Sequence, residues 1–138
     1  MLSFNIFPDA LFKGVPLKNV NLGNYSSFFG EATDIEMPDS SAQDEQLTIC
    51  HFDEQKFSLF FQDNKLITLS FSSPAFQMFE QSVFKLKEKE LIELFAANGF
   101  TEHEIDKDWG EKQLVFESAG ITFFFDNQKV SEVFIDIA

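Results

Sequence analysis

The sequence predicts an α+β fold of two tandem repeats. Each repeat is a strand, a helix and a three-stranded antiparallel meander, with the helices packed on one face of the sheet. Three observations predict it. The stretch "FSLFFQDNKLITLSF" (57–71) recurs 64 residues later as "ITFFFDNQKVSEVFI" (121–135). Two upstream blocks recur in the same order. A chain of 138 residues that is 44% hydrophobic suffices for one domain. We therefore expect one pseudo-symmetric domain over 1–138, with repeats at 1–72 and 73–138.

The first recurring block predicts the opening strand of each repeat. "SFNIFPDALFK" (3–13) matches "AFQMFEQSVFK" (75–85) at an offset of 72, with four of eleven positions identical. Alternating Phe predicts half-buried strands at 3–7 and 75–79. The distance between matching blocks falls from 72 residues to 69 and then to 64 along the chain. The first repeat must therefore contain longer connections than the second, and we place them near 14–21 and 37–46. The second of these contains "PDSSAQDEQ", a composition typical of an exposed loop.

The second block predicts the helices. "SSFFGEA" (26–32) lies opposite "FAANGFT" (95–101), which aligns Gly30 with Gly99. The clearest helix is 87–100, since its apolar residues repeat with the helical period at Leu91, Leu94 and Phe95, with Asn98 on the same side. Gly99 suits the left-handed position after a helix, where Phe100 would contact Phe95. A shorter helix is expected near Leu22–Phe29.

Thr-x-x-Glu follows each predicted helix, at Thr33…Glu36 and Thr101…Glu104. This is the pattern of a helix-starting capping box, although it is also common elsewhere. Six strands should follow, at 47–52, 56–61, 66–72, 112–117, 120–125 and 130–137.

The first hairpin is expected to have a three-residue loop, Asp63–Lys65, in preference to a two-residue turn. That loop sets apolar residues opposite each other, and such cross-strand pairs stabilise a sheet face: Phe57 with Phe71, Leu59 with Leu69 and Phe61 with Ile67. We also expect at least one Phe of each repeat-related pair to be buried, Phe60 with Phe124 and Phe61 with Phe125.

The chain is acidic, with 23 acidic residues against 10 basic residues and a formal net charge of −13. All ten basic residues are Lys. This balance excludes a typical nucleic-acid-binding protein and favours a basic protein partner, unless the charge serves solubility alone. A single cysteine, an N-terminus unlike a signal peptide and the absence of a long apolar run predict a soluble cytoplasmic protein that does not bind membranes.

No motif points to catalysis, a metal or a cofactor. Cys50 and His51 are adjacent in a predicted strand, so their side chains point to opposite faces and do not form a catalytic pair. His103 lies in "TEHEIDKDWGE" (101–111) without a second His nearby, which is unlike a metal site. Nucleotide-binding and hydrolase motifs are absent from the sequence. We therefore expect a protein that is not an enzyme.

The predicted binding surface is the acidic turn around Trp109, with Asp106, Asp108 and Glu111. Trp109 would be the buried anchor, and the carboxylates would speed the encounter with a basic partner. The alternative is that Trp109 covers the edge of the core. In that case the loop at 38–46, with Asp39, Asp44 and Glu45, becomes the candidate.

Two family resemblances follow from these blocks. "VPLKNVNLGNYSSFFGEA" (15–32), followed by the first hairpin, resembles the duplicated β-lactamase-inhibitor-protein-like fold and its SmpA/OmlA-type relatives, which implies non-catalytic protein binding. "ELFAANGF" (93–100) resembles the helix and turn of the glyoxalase/bleomycin-resistance superfamily. The opening strands lack the His that would serve there as a metal ligand.

The leading hypothesis is a bacterial protein-binding module of the immunity or inhibitor type, directed at a basic partner. The alternative is a metal-free small-molecule-binding protein of the glyoxalase/bleomycin-resistance type, with a pocket between the repeats.

Overall fold

The computed structural model describes residues 2–6, 10–37, 47–107 and 112–137. They form a mixed α+β fold in which strands predominate and build two sheets. The two helices are α1 (Tyr25–Phe29) and α2 (Glu88–Ala97). The strands of the first half are β1 (Ser3–Asn5), β2 (Leu11–Phe12), β3 (Val15–Pro16), β4 (Asp34–Glu36), β5 (Leu47–Phe52), β6 (Phe57–Gln62) and β7 (Lys65–Phe71). Those of the second half are β8 (Gln77–Met78), β9 (Gln81–Ser82), β10 (Glu104–Asp106), β11 (Lys112–Phe116), β12 (Ile121–Asp126) and β13 (Lys129–Asp136).

An antiparallel sheet of eight strands carries most of the molecule. Its order is β10-β11-β12-β13-β7-β6-β5-β4, so the last strand of each half pairs with the other at the centre. The six predicted meander strands are confirmed to within one residue at each end. The two edge strands β4 and β10 were not predicted.

The Thr-x-x-Glu segments do not start helices, so the capping-box interpretation is wrong. Glu36 ends β4 and Glu104 begins β10. Thr33 instead accepts a hydrogen bond through its Oγ1 from the backbone N–H of Asp53, at 3.1 Å. Thr and Glu occur both at helix starts and in short polar strands at a sheet edge. Here the two segments form strands because they pair with β5 and β11.

The hairpin turn has two residues, Asp63 and Asn64, so the three-residue loop was wrong. Both turn residues adopt left-handed backbone angles, with φ of 50° and 71°, as the favoured tight hairpin turn requires. A β-bulge at Phe60/Phe61 then adds one residue to β7, which pairs Phe61 with Leu66. Beyond the bulge the predicted pairs are confirmed: Phe57 with Phe71 and Leu59 with Leu69.

The opening strands lie in a separate five-stranded sheet, in the order β3-β2-β1-β8-β9. β1 and β8 are shorter than predicted and run parallel, side by side. The alignment of 3–13 with 75–85 is wrong, because Phe12 lies in β2 whereas Phe84 lies in a 3-10 turn, Val83–Lys85. In a chain with 20 Phe, identical Phe positions arise easily between unrelated segments.

The C-terminal end of α2 is confirmed in detail. Gly99 has a φ of 97°. The N–H of Phe100 donates to the carbonyl of Phe95 at 2.8 Å, and the N–H of Gly99 donates to that of Ala96 at 3.2 Å. These are the two bonds of a Schellman motif, and the Phe95 and Phe100 rings lie 6.1 Å apart. The first helix begins at Tyr25, later than predicted.

A core rich in phenylalanine fills the space beneath one face of the large sheet. α2 contributes Phe95, whose ring stacks on Phe116 at 4.2 Å. α1 contributes Phe29, which lies 5.4 Å from Phe12 of the smaller sheet. Phe71 stacks on Phe76 at 4.0 Å between the two halves. The rings therefore join both helices and both sheets into one core. Neither described helix is long and apolar enough to cross a membrane.

Candidate functional site

The eight-stranded sheet has a second face, opposite the core, on which the described side chains are exposed or half-buried, apart from Ser70, which is 7% exposed. Successive side chains of a strand alternate between faces, so cross-strand register identifies the residues of this open face. One row of directly paired residues crosses all eight strands: Asp34, His51, Ser58, Ser70, Phe134, Thr122, Val115 and Glu104. With strands about 4.8 Å apart, the row is on the order of 34 Å long.

Three aromatic rings cluster near the centre of the open face. Phe134 lies 5.3 Å from Phe124 and 6.1 Å from Phe60, measured between ring centroids. All three side chains are half-buried. The expectation for Phe60 and Phe124 is therefore wrong, since neither is buried, whereas Phe61 and Phe125 are 1% and 6% exposed and confirm it for that pair. The two pairs differ because adjacent Phe residues in one strand point to opposite faces.

Both edges of the open face are acidic. The edge strand β4 reads Asp34-Ile35-Glu36, and β10 at the other edge reads Glu104-Ile105-Asp106. Register places the four carboxylates on the open face, because Ile35 pairs with the buried Cys50 on the core side. Ile105 likewise pairs with the buried Leu114. All six side chains are exposed.

A hydrogen-bonded chain of three side chains crosses the first edge. His51 Nδ1 lies 2.7 Å from Ser58 Oγ, and His51 Nε2 lies 2.9 Å from Glu36 Oε1. A carboxylate only accepts hydrogen bonds, so a ring with its proton on Nε2 donates to Glu36 and accepts from the Ser58 hydroxyl. This connectivity resembles that of a serine hydrolase triad and was not anticipated from the sequence.

The surroundings of Ser58 do not suit acyl transfer. Such a reaction needs hydrogen-bond donors aimed at the developing oxyanion. Ser58 lies inside β6 and pairs with His51 on one side and Ser70 on the other, so its backbone takes part in the sheet ladders. The adjoining cavity is small and open, about 300 Å³. The chain of side chains therefore fixes the His51 ring and the Glu36 carboxylate on the open face.

Most of the predicted binding residues lie outside the described residues: Asp108, Trp109 and Glu111, and the whole alternative loop with Asp39, Asp44 and Glu45. Asp106 is described, and it lies on the edge strand β10. His103 is exposed just before that strand and lines a shallow cavity of 380 Å³. No group of three or more metal-ligating side chains is present among the described residues.

Cys50 is fully buried beneath the first meander, next to Tyr25. Burial raises the pKa of the Cys50 thiol, although the hydrogen bond with Tyr25 partly opposes this. Burial likewise raises the pKa of the Tyr25 hydroxyl, and Cys50 adds to that increase. A thiol that is protonated and shielded is unreactive, in line with a structural role.

Two larger cavities lie away from the open face. One, of 470 Å³, lies between the halves, where Phe4 and Ile6 meet Ser118 and Ile137. The other, of 740 Å³, lies within the second half and is lined by five lysines: Lys85, Lys87, Lys89, Lys112 and Lys129. The sequence did not indicate this cluster, because its members are spread over more than forty positions.

No protein-family model, curated protein or solved structure matches this chain.

Proposed function

We propose that this protein is a non-enzymatic protein-binding module whose contact surface is the open face of the eight-stranded sheet, and that its partner is a basic protein. The observation that carries the proposal is the half-exposed cluster of Phe60, Phe124 and Phe134 between two acidic edges. Protein interfaces commonly combine an aromatic centre with a polar rim. The alternative of an anionic or nucleic-acid partner fits poorly beside these carboxylates.

The charge pattern favours a basic partner over a second copy of the chain. Two open faces brought together would place acidic edges near acidic edges, in a protein with a net charge of −13. Like charges across an interface are unfavourable. A partner with Lys or Arg around an apolar patch would complement both the aromatic centre and the acidic edges of the open face.

The two parts of the face should have different roles. Phe134 has an aromatic neighbour on either side, so a partner group placed there is shielded from water and slow to leave. The exposed carboxylates of β4 and β10 remain in contact with solvent, where they mainly speed the encounter.

We further infer that the chain arose by internal duplication, which supports reading the face as one symmetric surface. At an offset of 66, β2–β3 corresponds to β8–β9, and the buried helix residues Tyr25 and Phe29 correspond to Leu91 and Phe95. At an offset of 64, both meander hairpins have a two-residue turn followed by a bulge. Under this relation Ser70 corresponds to Phe134, its own partner across the central ladder. The proposed two-fold axis passes between them, flanked by Phe60 and Phe124.

Immunity and inhibitor proteins are one class that fits this surface, since they neutralise a partner by covering it without chemistry. The protein encoded next to this one is the first partner to test, provided that it is basic. Binding that depends on the open face would support the proposal.

The test compares variants of the open face with matched controls. Phe134→Ala should raise the dissociation rate about thirtyfold, which corresponds to roughly 2 kcal/mol. Phe28→Ala is the control, because Phe28 is 42% exposed but lies on α1, away from this face. Replacing Asp34, Glu36, Glu104 and Asp106 by their amides should slow association at low salt. Amides at Glu31, Asp63, Glu80 and Glu93, which are exposed outside the open face, make the same charge change elsewhere.

The rates are measured by surface plasmon resonance, with circular dichroism to confirm folding. Equal effects of Phe134→Ala and Phe28→Ala, or of the two sets of amides, would refute the open face as the binding surface.

A further inference from the structure

We propose that the lysine-lined cavity of the second half binds a small organic polyanion, a molecule with two or more phosphate or carboxylate groups. This site is separate from the open face and goes beyond the proposed protein binding. Its volume of 740 Å³ lies within the range typical of small-molecule sites, roughly 300–1,000 Å³.

The first argument is the concentration of charge. Five of the ten lysines of the chain line this one cavity. With Glu88 as the acidic residue among the lining side chains, their formal charge is +4 (five Lys, one Glu). The whole chain carries −13. Clustered ammonium groups repel one another, and a bound anion relieves that repulsion.

The second argument is the shape and chemistry of the wall. Lys112 Nζ lies 2.7 Å from Glu88 Oε1, so this pair fixes one side of the cavity. The apolar parts of the wall are Phe84, Leu86 and the ring of Phe125, which Lys112 Nζ approaches to 6.0 Å from the ring centroid. An anionic group would contact the ammonium ions while an apolar or planar part of the ligand lies on these side chains.

The third argument is that the corresponding place in the first half is closed. At the offset of 66 that relates the two halves, Leu22 corresponds to Glu88. The backbone N–H of Leu22 donates to the carbonyl of Asn64 in the hairpin turn at 3.1 Å. Asn21 also bridges to Lys65. In the second half, Lys87 caps the start of α2, which begins at Glu88, and the cavity separates this helix start from the turn at Asn127 and Gln128.

Four of the five lysines occur in the second half, where the cavity is present, and have no lysine at the corresponding position of the first half. Under the proposed duplication, the lining lysines correspond to these residues of the first half: Lys85 to Asn19, Lys87 to Asn21, Lys89 to Gly23, Lys112 to Thr48 and Lys129 to Lys65. The opening of the cavity and the gain of positive charge thus occur together. This is the combination that an anion site requires.

The test is a titration of the whole protein with ATP, pyrophosphate, citrate and inorganic phosphate, followed by thermal unfolding and calorimetry. At least one polyanion should raise the Tm, because a ligand that binds the native state stabilises it. Binding should weaken between about 50 and 300 mM NaCl, as screening predicts. Tighter binding of ATP than of pyrophosphate would assign a role to the apolar wall, and preference for citrate would identify carboxylate ligands.

The matched variants decide whether this cavity is the site. Replacing Lys85, Lys89 and Lys129 with Gln should weaken the tightest probe at least about tenfold. The control replaces Lys18, Lys65 and Lys107 with Gln, which makes the same change of charge on other exposed surfaces.

Equal weakening by the two triple variants would overturn the proposal, because it would show a general effect of charge. So would the absence of any rise in Tm at millimolar probe. If poly-glutamate or a DNA oligonucleotide binds the cavity more tightly than every small probe, the occupant is a macromolecule and the small-molecule proposal is wrong. Because these outcomes do not involve the open face, they leave the proposed protein binding untouched.

Discussion

The two meanders of the large sheet follow the same backbone path with different side chains. The turn before β6 ends at Lys56, whose carbonyl accepts a hydrogen bond from Ser72 at 2.9 Å. The turn before β12 ends at Gly120, whose carbonyl accepts from Asp136 at 2.7 Å. Both residues have left-handed backbone angles, with φ of 58° and 69°. The comparison teaches that hydrogen bonds and strand register can fix the same backbone path with different side chains, here Lys56 in one turn and Gly120 in the other.

The largest expected effect tests whether the two meanders share one core. Phe61→Ala and Phe125→Ala should each lower the free energy of unfolding by about 3–5 kcal/mol, because each leaves a cavity where a buried ring was. Phe60→Ala and Phe124→Ala, on the open face, should cost about 1 kcal/mol or less. Urea unfolding followed by circular dichroism measures all four. Similar losses at neighbouring positions would contradict the assignment of faces.

The next effect separates the two left-handed turns. Gly120→Ala should lower stability by about 1–3 kcal/mol. An added Cβ there would lie 2.6 Å from the Asp136 carbonyl oxygen, and a positive φ is strained for alanine. Lys56→Gly should change stability by less than about 0.5 kcal/mol, since relief of strain is offset by a more flexible unfolded chain. The same urea experiments apply. A stable Gly120→Ala variant would mean that this turn relaxes freely.

A smaller effect compares the segments that precede the helices. Asn24 Oδ1 accepts from the Asn21 N–H at 2.7 Å, and Asn24 Nδ2 donates to the Asn19 carbonyl at 2.8 Å. In the second half, Glu90 Oε1 accepts from the Lys87 N–H at 3.0 Å. Asn24→Ala should cost about 1–2 kcal/mol and Glu90→Ala about half as much, because one loses two bonds and the other loses one. Thermal unfolding of both variants checks the ratio, and a larger loss at Glu90 would reverse the comparison.

The smallest effect is a dependence on alkaline pH that belongs to the first half alone. Burial raises the folded-state pKa of both Cys50 and Tyr25, whereas their counterparts, Leu114 and Leu91, do not titrate. Groups with a raised folded pKa stabilise the fold fully below their unfolded pKa, about 8.5 for Cys and 10 for Tyr, and this stability is lost as the pH rises from these values through the higher folded pKa.

The Cys50→Ala variant with Tyr25→Phe should therefore lose less stability between neutral and alkaline pH than the parent protein. Urea unfolding at both pH values measures the difference. Leu114→Ala is the control, because it removes buried volume without removing a titratable group. An unchanged pH dependence in the double variant would show that these two groups do not govern it.

Prediction from the sequence succeeded where local patterns are strong. Alternating apolar residues located the six meander strands, and Gly99 after an amphipathic run located the end of α2. The edge strands were not predicted because a segment of three exposed residues with a single apolar side chain, such as 34–36, is too short to show a period. The two-residue strands of the smaller sheet are too short for any periodic signal, so the matching Phe residues at 3–13 and 75–85 were misleading.

The candidate sites could likewise be predicted only where the sequence carries a local pattern. The adjacent Phe60 and Phe61 already imply that one ring of the pair points away from the core, so the aromatic cluster had a signal in the sequence. The lysine cavity had none, since Lys85 and Lys129 meet only through the tertiary fold. The binding role of Trp109 stays a prediction.

The bulges in the two hairpins bear on how the length of this chain can change during evolution. In the second hairpin, Ser131 is the extra residue between the pairs Phe124–Glu132 and Phe125–Val130. Deleting it would leave both pairs aligned and would convert the bulge into regular ladder. A deletion elsewhere in a strand would instead turn every following side chain to the opposite face. The corresponding residue of the first hairpin, Ile67, is less dispensable, because its carbonyl accepts a hydrogen bond from Ile137 at 2.9 Å. The second hairpin is thus where a descendant of this protein could shorten by one residue without exchanging its inner and outer surfaces.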